Sequence, residues 1–414
     1  MQPGINRLLV VGTDVTAIAG SARRAGYKVF SVDFFGDVDL RLFCEESLSI
    51  IHQQAGISCG RFTRDFTVVH LIQLVRKLLQ RLSVDGIIYG SGVEDAPLAL
   101  EEIQSLTPVI GNTPENLTRV RKPRVFFQGL QQLGVPHPHT VVLHTFEEAR
   151  RCAKDLGYPV VLKLLAGFGG AEVRYIVGES ALEEAFKTVV ATSRGGVVQE
   201  YVSGVPISVS LLSTSEDVAT LSVNEQLLGV RRLGMRSPFG YCGNIVPFSS
   251  STQVLETCSR IAEKVVSHFG LVGSNGVDMV ISREGTPFVI EVNPRFQGTL
   301  ECVERVYGVN VVKAHIEACV NRRILGKVAA SQGFCTRLLL YSLRRVVVPD
   351  LRVFNEARDI PLNEAIVEEG EPLCSIIAEG ISRNTSLRNG WRVTDAVYNT
   401  LQSHIPQKNT LFHQ

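Results

Sequence analysis

The sequence predicts an α/β segment that continues into an α+β segment, and three features of the chain support this fold class. Up to the loop at residues 90–94, apolar runs end in Gly or Asp and alternate with helical patterns, as in a parallel sheet with crossover helices. The breaker-rich stretch 107–114 then marks a boundary. Beyond it follow the helix and strand patterns of an α+β unit, and later two strands joined by a tight turn near residue 285.

The composition is that of a globular protein with more than one domain. The 414 residues suit two or three domains, and 45% hydrophobic with 20% charged residues is ample for a large core. The net charge of +1 gives no bulk attraction to nucleic acid or to a membrane surface. The nine cysteines form no C-x-x-C pair, and neither a signal peptide nor a membrane-spanning apolar run is present. We therefore expect a cytoplasmic protein that binds no nucleic acid and no membrane.

In the N-terminal segment, three apolar strands are predicted to end at polar or glycine-containing loops. The first, residues 7–11, leads into Gly12-Thr13-Asp14 and a helix of small residues that ends near Arg24; the second ends at Asp33 and the third at the loop 90–94. Ligands of parallel sheets lie outside the carboxyl ends of the strands, so these loops form a candidate rim. Glu94 on that rim could bind an amine. The Gly12-x-Asp14 pattern replaces G-x-G, which argues against a dinucleotide fingerprint.

A small α+β unit is predicted from the helix that begins near Thr113 to the strand 196–201. Pro123 must break or kink that first helix. Helices are expected near 145–156 and 181–192, with a strand at 158–163. The final residues carry short strands near 337–341 and 373–378 and a helix that starts near Thr394.

Two strand ends in this unit suggest a nucleotide site. Lys163 ends an apolar strand, where an unpaired charge is unfavourable, so it must point to a cleft or to an anionic partner. The glycines that follow let backbone N–H groups approach phosphate oxygens; a flexible hairpin is the alternative. The strand that ends at Gln199-Glu200-Tyr201-Val202 offers an N–H and a C=O to an adenine edge, although this stretch taken alone favours an ordinary strand end. The glycines in question are Gly167, Gly169 and Gly170.

The hairpin around residue 285 predicts a metal site. If Glu284 and Gly285 form the turn, Asp278 faces Glu291 across the pair of strands, and Asn293 projects on the same side as Glu291. Two carboxylates and an amide oxygen are hard ligands that suit Mg²⁺ carrying nucleotide phosphates. Arg295 follows as a cation beside that metal. The alternative is a surface hairpin with unrelated acids.

The order of these elements resembles the ATP-grasp superfamily of ATP-dependent carboxylate–amine ligases, which includes biotin carboxylase and carbamoyl phosphate synthetase. The loop 90–94 and the segment Tyr241-Cys-Gly243-Asn244-Ile-Val-Pro247 are more narrowly similar to a group predicted to be ATP-grasp carboligases. The resemblance implies a pre-ATP-grasp parallel α/β domain at 1–112 and a two-lobed ATP-grasp domain at 113–325. It further implies a lid at about 137–200 and a small C-terminal domain at 326–414.

The resemblance also implies roles for individual residues. Lys122 and Lys163 would contact the phosphates of ATP, and Gly167, Gly169 and Gly170 would form the mobile lid. Gln199, Glu200, Tyr201 and Val202 would bind adenine. Asp278, Glu291 and Asn293 would hold Mg²⁺ (or Mn²⁺), with Arg295 and Lys163 as catalytic cations. Ser208 stands near the place of the acid that usually binds ribose, and Arg121 precedes Lys122 where the family more often has an acid.

The chemistry implied is phosphoryl transfer to a carboxylate, which gives an acyl phosphate that an amine attacks, with release of ADP and phosphate. The expected partners are a small-molecule carboxylate and amine of cofactor or metabolite biosynthesis, and a homodimer is common in the family. Candidate substrate residues are Glu94, Glu225, and the basic loop residues Arg231 and Arg232. Two alternatives remain open: a carboxylating enzyme like biotin carboxylase or one of the purine pathway, and a non-catalytic nucleotide-binding protein.

Overall fold

The N-terminal residues form a four-stranded parallel sheet between helices. The computed structural model describes residues 4–59, 68–165, 170, 172–190, 195–324 and 330–403. The strand order is β3-β2-β1-β4, and every pairing is parallel, as predicted. Leu71, Val75 and Leu100 of two helices pack on one face of the sheet. The elements are β1 (Arg7–Val11), α1 (Thr16–Arg24), β2 (Lys28–Asp33), β3 (Glu46–Ser49), α2 (Val68–Leu79), β4 (Gly86–Tyr89) and α3 (Pro97–Leu106).

A small antiparallel lobe follows two short helices. Its strand order is β5-β8-β6-β7, and α6 and α7 cover its apolar face. The expected interruption at Pro123 is a complete break: Lys122 has ψ 108° and lies between two helices, because proline excludes the helical conformation from the residue before it. The elements are α4 (Pro114–Arg121), α5 (Pro123–Gln132), β5 (Thr140–Leu143), α6 (Phe146–Leu156), β6 (Val160–Leu164), β7 (Arg174–Ile176), α7 (Glu179–Ala185) and β8 (Gly196–Glu200).

The rest of the chain builds one eight-stranded sheet in the order β13-β12-β9-β10-β11-β14-β18-β16, and β15 pairs separately with β17. Three strands of the last eighty residues, β14, β16 and β18, thus extend the same sheet. Its elements are β9 (Gly204–Ser213), β10 (Val218–Leu228), β11 (Tyr241–Val246), α8 (Thr252–His268), β12 (Gly273–Ser282), β13 (Pro287–Asn293), α9 (Leu300–Tyr307), α10 (Val311–Asn321), β14 (Phe334–Tyr341), β15 (Val346–Val347), β16 (Ala357–Arg358), β17 (Ile366–Val367), β18 (Pro372–Gly380) and α11 (Arg383–Ser403).

The final helix begins at Arg383, eleven residues before the predicted start, so that prediction was wrong. The Ser382 hydroxyl accepts a hydrogen bond from the backbone N–H of Thr385 at 3.2 Å, which caps the helix at that point. In the described part of the chain, no helix is long and apolar enough to span a membrane.

Alternation along the strands gives the large sheet one apolar and one polar face. On β9, Ile207, Val209 and Leu211 pack with residues of α5 and α8 in a buried cluster. Ser208 and Ser210 point to the opposite face, because successive side chains of a strand alternate. The candidate site lies on this polar face, where Ser208 stands opposite Asp278 in the ladder.

Candidate active site

The predicted pair Asp278–Glu291 is present in the hairpin of β12 and β13. The two residues face each other in the ladder, but the two-residue turn at Glu284 and Gly285 from which this pairing was predicted is not present. The turn has three residues rather than two, since Ser282 donates to Thr286 and Gly285 donates back to Ser282. A bulge at Ile290 then restores the register, so Asp278 still lies opposite Glu291.

Asn293 lies beside both carboxylates, as the alternation predicted. Its Nδ2 donates to Oδ2 of Asp278 at 3.0 Å and to Oε1 of Glu291 at 3.5 Å. Burial and the facing charge of Glu291 raise the pKa of Asp278. Burial would also raise the pKa of Glu291, but the charges of Arg121 and Lys163 outweigh it and hold that pKa low. Two carboxylates in van der Waals reach of each other are unfavourable unless a cation is added, which fits the predicted magnesium set.

This set contains two carboxylates and one amide. Accordingly, the described residues contain no group of three or more His, Cys, Asp and Glu side chains arranged to hold a metal. To offer its oxygen to a cation, the amide of Asn293 must turn over, because its nitrogen now faces the carboxylates.

Lys163 faces these carboxylates from the other lobe. It lies on β6, and burial lowers the pKa of its ammonium group while Glu291 and Asp278 act in the opposite direction. The sequence argument that a lysine on so apolar a strand needs an anionic neighbour is therefore consistent with its position. Lys163 and the two carboxylates line one cleft from opposite sides.

Arg295 stands at the end of β13 and is held in place by three acceptors. Its Nε donates to Oε1 of Glu94 at 2.6 Å, and its other nitrogens donate to the carbonyl of Phe296 at 2.9 Å and to Oδ1 of Asn293 at 3.3 Å. Burial opposes its charge, but Glu94 outweighs burial and raises the pKa of Arg295. The guanidinium group is thus fixed beside the candidate metal ligands, and the rim residue Glu94 is brought to the same place.

Two site residues escaped the sequence analysis. Arg121 ends α4 and pairs with Asp95; burial works against its charge, but Asp95, Glu291 and Glu94 raise its pKa. Its neighbour Lys122 is exposed at the junction of the helices. The departure from the family pattern at Arg121 was the available signal for this residue, and the phosphate contact of Lys122 stays a prediction.

Gln226 was the second omission. It hydrogen-bonds to Asp278, whereas the neighbouring Glu225 accepts two bonds from Arg383 of α11, at 2.6 and 2.5 Å. Alternation along β10 puts these two neighbours on opposite faces of the sheet, and that rule could have selected Gln226. Ser208 lies directly opposite Asp278 in the ladder between β9 and β12, so it shares the polar face with the carboxylates.

The predicted adenine strand forms the connection between the two lobes. Glu200 ends β8 and the next strand starts at Gly204, so Tyr201 and Val202 lie in the link. The buried Gln199 donates to the Thr140 hydroxyl at 2.8 Å, which ties it to the small lobe.

The Tyr201 ring belongs to an aromatic trio at the mouth of this link. It lies 4.8 Å from the ring of Tyr175 and 6.4 Å from that of Phe239. Gly170 accepts a hydrogen bond from the Ser237 hydroxyl at 3.3 Å, and a side chain at position 170 would collide with the Phe239 carbonyl. Gly167 and Gly169, the other predicted lid residues, lie outside the described residues.

The basic loop lies away from these groups, against the C-terminal helix. Arg232 donates to both oxygens of Asp395 at 2.8 and 2.7 Å and lies 4.5 Å from the ring of Trp391. Arg231 lines a separate cavity of about 470 Å³ with Met235 and Glu369 among its walls. Both Arg232 and Glu225 therefore have protein partners on α11.

Known proteins share a domain and the fold of this chain. Residues 124–299 match the model of an ATP-grasp domain. An uncharacterized protein of Methanocaldococcus jannaschii is 23% identical over 376 residues, which cover 90% of this chain and 88% of that protein. The carbamoyl phosphate synthase large chain of Pseudomonas aeruginosa is 25% identical over 254 residues, 61% of this chain but only 23% of that one.

Two solved structures show the same architecture over almost the whole chain. Biotin carboxylase from Campylobacter jejuni superposes with a TM-score of 0.71 at 17% identity, covering 96% of this chain and 92% of that one. N5-carboxyaminoimidazole synthase from Aspergillus clavatus gives 0.71 at 15% identity, with 95% and 99% covered. These two structures show that the chain has the same fold. Over residues 124–299 the chain is therefore similar to an ATP-grasp domain.

Proposed function

We propose that this protein is an ATP-dependent carboxylate–amine ligase that works through an acyl phosphate and releases ADP and phosphate. The observation that carries the proposal is the cleft in which Lys163 faces the Asp278–Glu291 pair, with Arg295 fixed beside it. Phosphoryl transfer requires little more than positioning and charge neutralisation, and these residues supply both. The proposed substrates are a small-molecule carboxylate and a small-molecule amine.

Within this proposal, each residue has a defined task. Asp278, Glu291 and Asn293 would hold Mg²⁺, which when bound neutralises phosphate charge. Lys163 and Lys122 hold phosphate oxygens, and Arg295 stabilises the transferring phosphoryl group and the acyl phosphate. The link 199–202 binds adenine between the lobes, with the glycines 167–170 as lid and Ser208 as a hydroxyl near the ribose.

The second candidate function is ATP-dependent carboxylation. It is favoured by the likeness to biotin carboxylase and N5-carboxyaminoimidazole synthase, which extends over at least 95% of this chain. The two candidates share the ATP residues and differ in the first substrate, an organic carboxylate in one and bicarbonate in the other.

The test is to identify the nucleotide product formed from ATP and Mg²⁺ with a pooled metabolite extract. ADP and phosphate that depend on the extract support the ligase, and ADP release with bicarbonate as the only added carboxylate favours carboxylation. AMP and pyrophosphate indicate adenylation and exclude both mechanisms. Glu291→Ala should abolish product formation, and unaltered turnover in that variant would show that the metal assignment is wrong.

A further inference from the structure

Glu94 has one carboxylate oxygen without a partner. The residue follows β4 and is 2% exposed. Its Oε1 accepts from Arg295, but the buried Oε2 has no hydrogen-bond partner among the described residues. Leaving a buried charged acceptor unbonded costs about 1–3 kcal/mol, so such atoms are uncommon in folded proteins. This oxygen therefore marks a place where a ligand donates a hydrogen bond.

The chemistry of that ligand group follows from the chemistry of the oxygen. A carboxylate only accepts hydrogen bonds, so the incoming group must carry N–H or O–H, and a phosphate or carboxylate would be repelled. Glu94 also holds Arg295, the guanidinium group assigned to the acyl phosphate. A group that donates to Oε2 of Glu94 is therefore separated from the acyl phosphate only by the side chain of Arg295. The amine has to reach this place in order to attack the acyl carbon.

The rim beside Glu94 is acidic. The loop after β1 lies against the loop of Glu94, where Thr13 donates to the Ser91 carbonyl at 2.8 Å. Next along the rim, Arg337 donates to Asp14 at 3.2 Å, to Asp359 at 2.8 Å and to the Gly298 carbonyl at 3.0 Å. Because Arg295 bonds to Glu94 and the Gly298 carbonyl accepts from Arg337, the segment 295–298 connects these two residues.

More carboxylates than cations surround that connection. Asp37 is buried and lies near Asp14, Asp33, Asp39 and Asp359; burial and these four charges raise its pKa. Among the described residues, the opposing cations are Arg121, Arg295 and Arg337, with Arg41 near Asp33. The raised pKa of Asp37 favours its neutral form, but the carboxylates of Asp14, Asp33, Asp39, Asp95, Asp359 and Glu94 still outnumber these four cations, which favours a substrate with positive charge.

We propose that the amine substrate is a cationic amine without a phosphate group and that Oε2 of Glu94 receives its reacting amino group. This inference rests on the proposed ligase function. Glu94 takes one proton from the ammonium group, which leaves a free amine. The nitrogen forms a bond to the acyl carbon, the bond from that carbon to the phosphate oxygen breaks, and phosphate leaves with the electron pair and the second proton.

The test is a calorimetric titration of the full chain, saturated with Mg²⁺ and ADP, with three probes: 1,4-diaminobutane, O-phosphoethanolamine and glutamate. We expect the diamine to bind at least tenfold more tightly than the two anionic amines. Glu94→Gln should weaken diamine binding at least tenfold and Asp14→Asn by a smaller factor, whereas Glu94→Asp, which keeps the charge, should restore part of the affinity.

Glu46→Gln is the matched control. This acid pairs with Arg81 at 2.5 Å at the opposite end of the same sheet, and its replacement should leave the diamine affinity unchanged. Equal or tighter binding of O-phosphoethanolamine, no diamine binding, or undiminished binding by Glu94→Gln would overturn the inference. Absence of ADP binding by the parent protein would instead refute the proposed ligase, so the two failures are distinguishable.

Discussion

At the scale of single residues, the site is built from charges whose neighbours are of opposite sign. Lys163 faces Glu291 and Asp278, and Arg295 is bonded to Glu94 at 2.6 Å. Burial of such groups is unfavourable for folding, and proteins retain them mainly where a reaction needs them. For Lys163, where burial outweighs the attraction of the carboxylates, function and stability should therefore respond in opposite directions when the charge is removed.

The substitution Lys163→Met tests whether loss of this charge lowers activity without lowering stability. We expect extract-dependent ADP release to fall by about a hundredfold or more, the usual effect of losing a group that stabilises transition-state charge. The midpoint of urea unfolding should not fall, because the substitution removes a charge that burial disfavours. Lys154→Met, on the exposed side of α6 in the same lobe, is the control and should retain full turnover. Equal losses in both variants would exclude a specific role for Lys163.

At the scale of elements, the close approach of the loop after β13 to strand β12 positions the guanidinium group of Arg295. Gln297 donates from its amide to the carbonyls of Asn293 at 3.0 Å and Arg295 at 2.5 Å, and its side chain lies directly against Gly276 of β12. A β-carbon at position 276 would lie 2.2 Å from that side chain, so only glycine leaves room for it.

Gly276→Ala should therefore displace Gln297 and release both hydrogen bonds of the loop. We expect a loss of about 1–2 kcal/mol in the free energy of unfolding and a tenfold or greater fall in ADP release. Gly178→Ala is the matched control, because a β-carbon there meets no atom within 4 Å. Wild-type turnover in Gly276→Ala would show that Gln297 does not position Arg295.

The contact between α10 and β12 makes stability depend on pH. His315 is buried, accepts from the backbone N–H of Ser274 at 2.8 Å and donates to the Ile110 carbonyl at 2.9 Å. Burial lowers its pKa from 6.5 to about 4. The unfolded chain therefore takes up this proton at a higher pH than the folded protein does, and stability is lost as the pH falls from 6.5 towards 4.

Between pH 7 and pH 5, wild type should lose about 2 kcal/mol more of its unfolding free energy than His315→Gln does. Urea unfolding at the two pH values gives this difference. The comparison with the variant is necessary because Asp33, Asp39 and Asp359, whose pKa values burial raises to about 6, act in the opposite direction. Identical pH dependence in both proteins would mean that His315 does not titrate as described.

At the scale of the whole molecule, Arg337 joins three parts of the chain. It reaches Asp14 after β1, the Gly298 carbonyl after β13, and Asp359 beside β18. Its side chain is 9% exposed. Breaking a buried ion pair on one side leaves a charge without its partner, which is more costly than the pair is stabilising.

Arg337→Met should lower the unfolding free energy by about 3–5 kcal/mol, and adding Asp359→Asn should recover part of the loss. Arg352→Met removes a pair with Asp350 in which the arginine is 67% exposed, and it should cost less than about 1 kcal/mol. Urea unfolding of the four proteins measures this comparison. Similar losses of unfolding free energy for Arg337→Met and Arg352→Met would show that Arg337 does not hold the three segments together.

Much of the fold could be predicted from local sequence. The parallel sheet, the bounds of β1 and the pairing of Asp278 with Glu291 follow from strand periodicity and from glycine and proline positions, which act over a few residues. The resemblance to ATP-grasp enzymes followed from the order of the motifs, and the match to an ATP-grasp domain confirms it over residues 124–299. The start of α11 was missed because a single hydroxyl of Ser382 sets it.

The tertiary structure alone decided which side chains meet around Asp278 and Glu291. Arg121, to which the sequence analysis gave no role, lies beside Glu291, and Gln226 bonds to Asp278 whereas Glu225 bonds to Arg383. It also brought Glu94 to Arg295, two residues about 200 positions apart in the chain. The sequence determined the elements because short-range backbone preferences set them, but side-chain partners across the cleft depend on packing between segments that are distant in the chain.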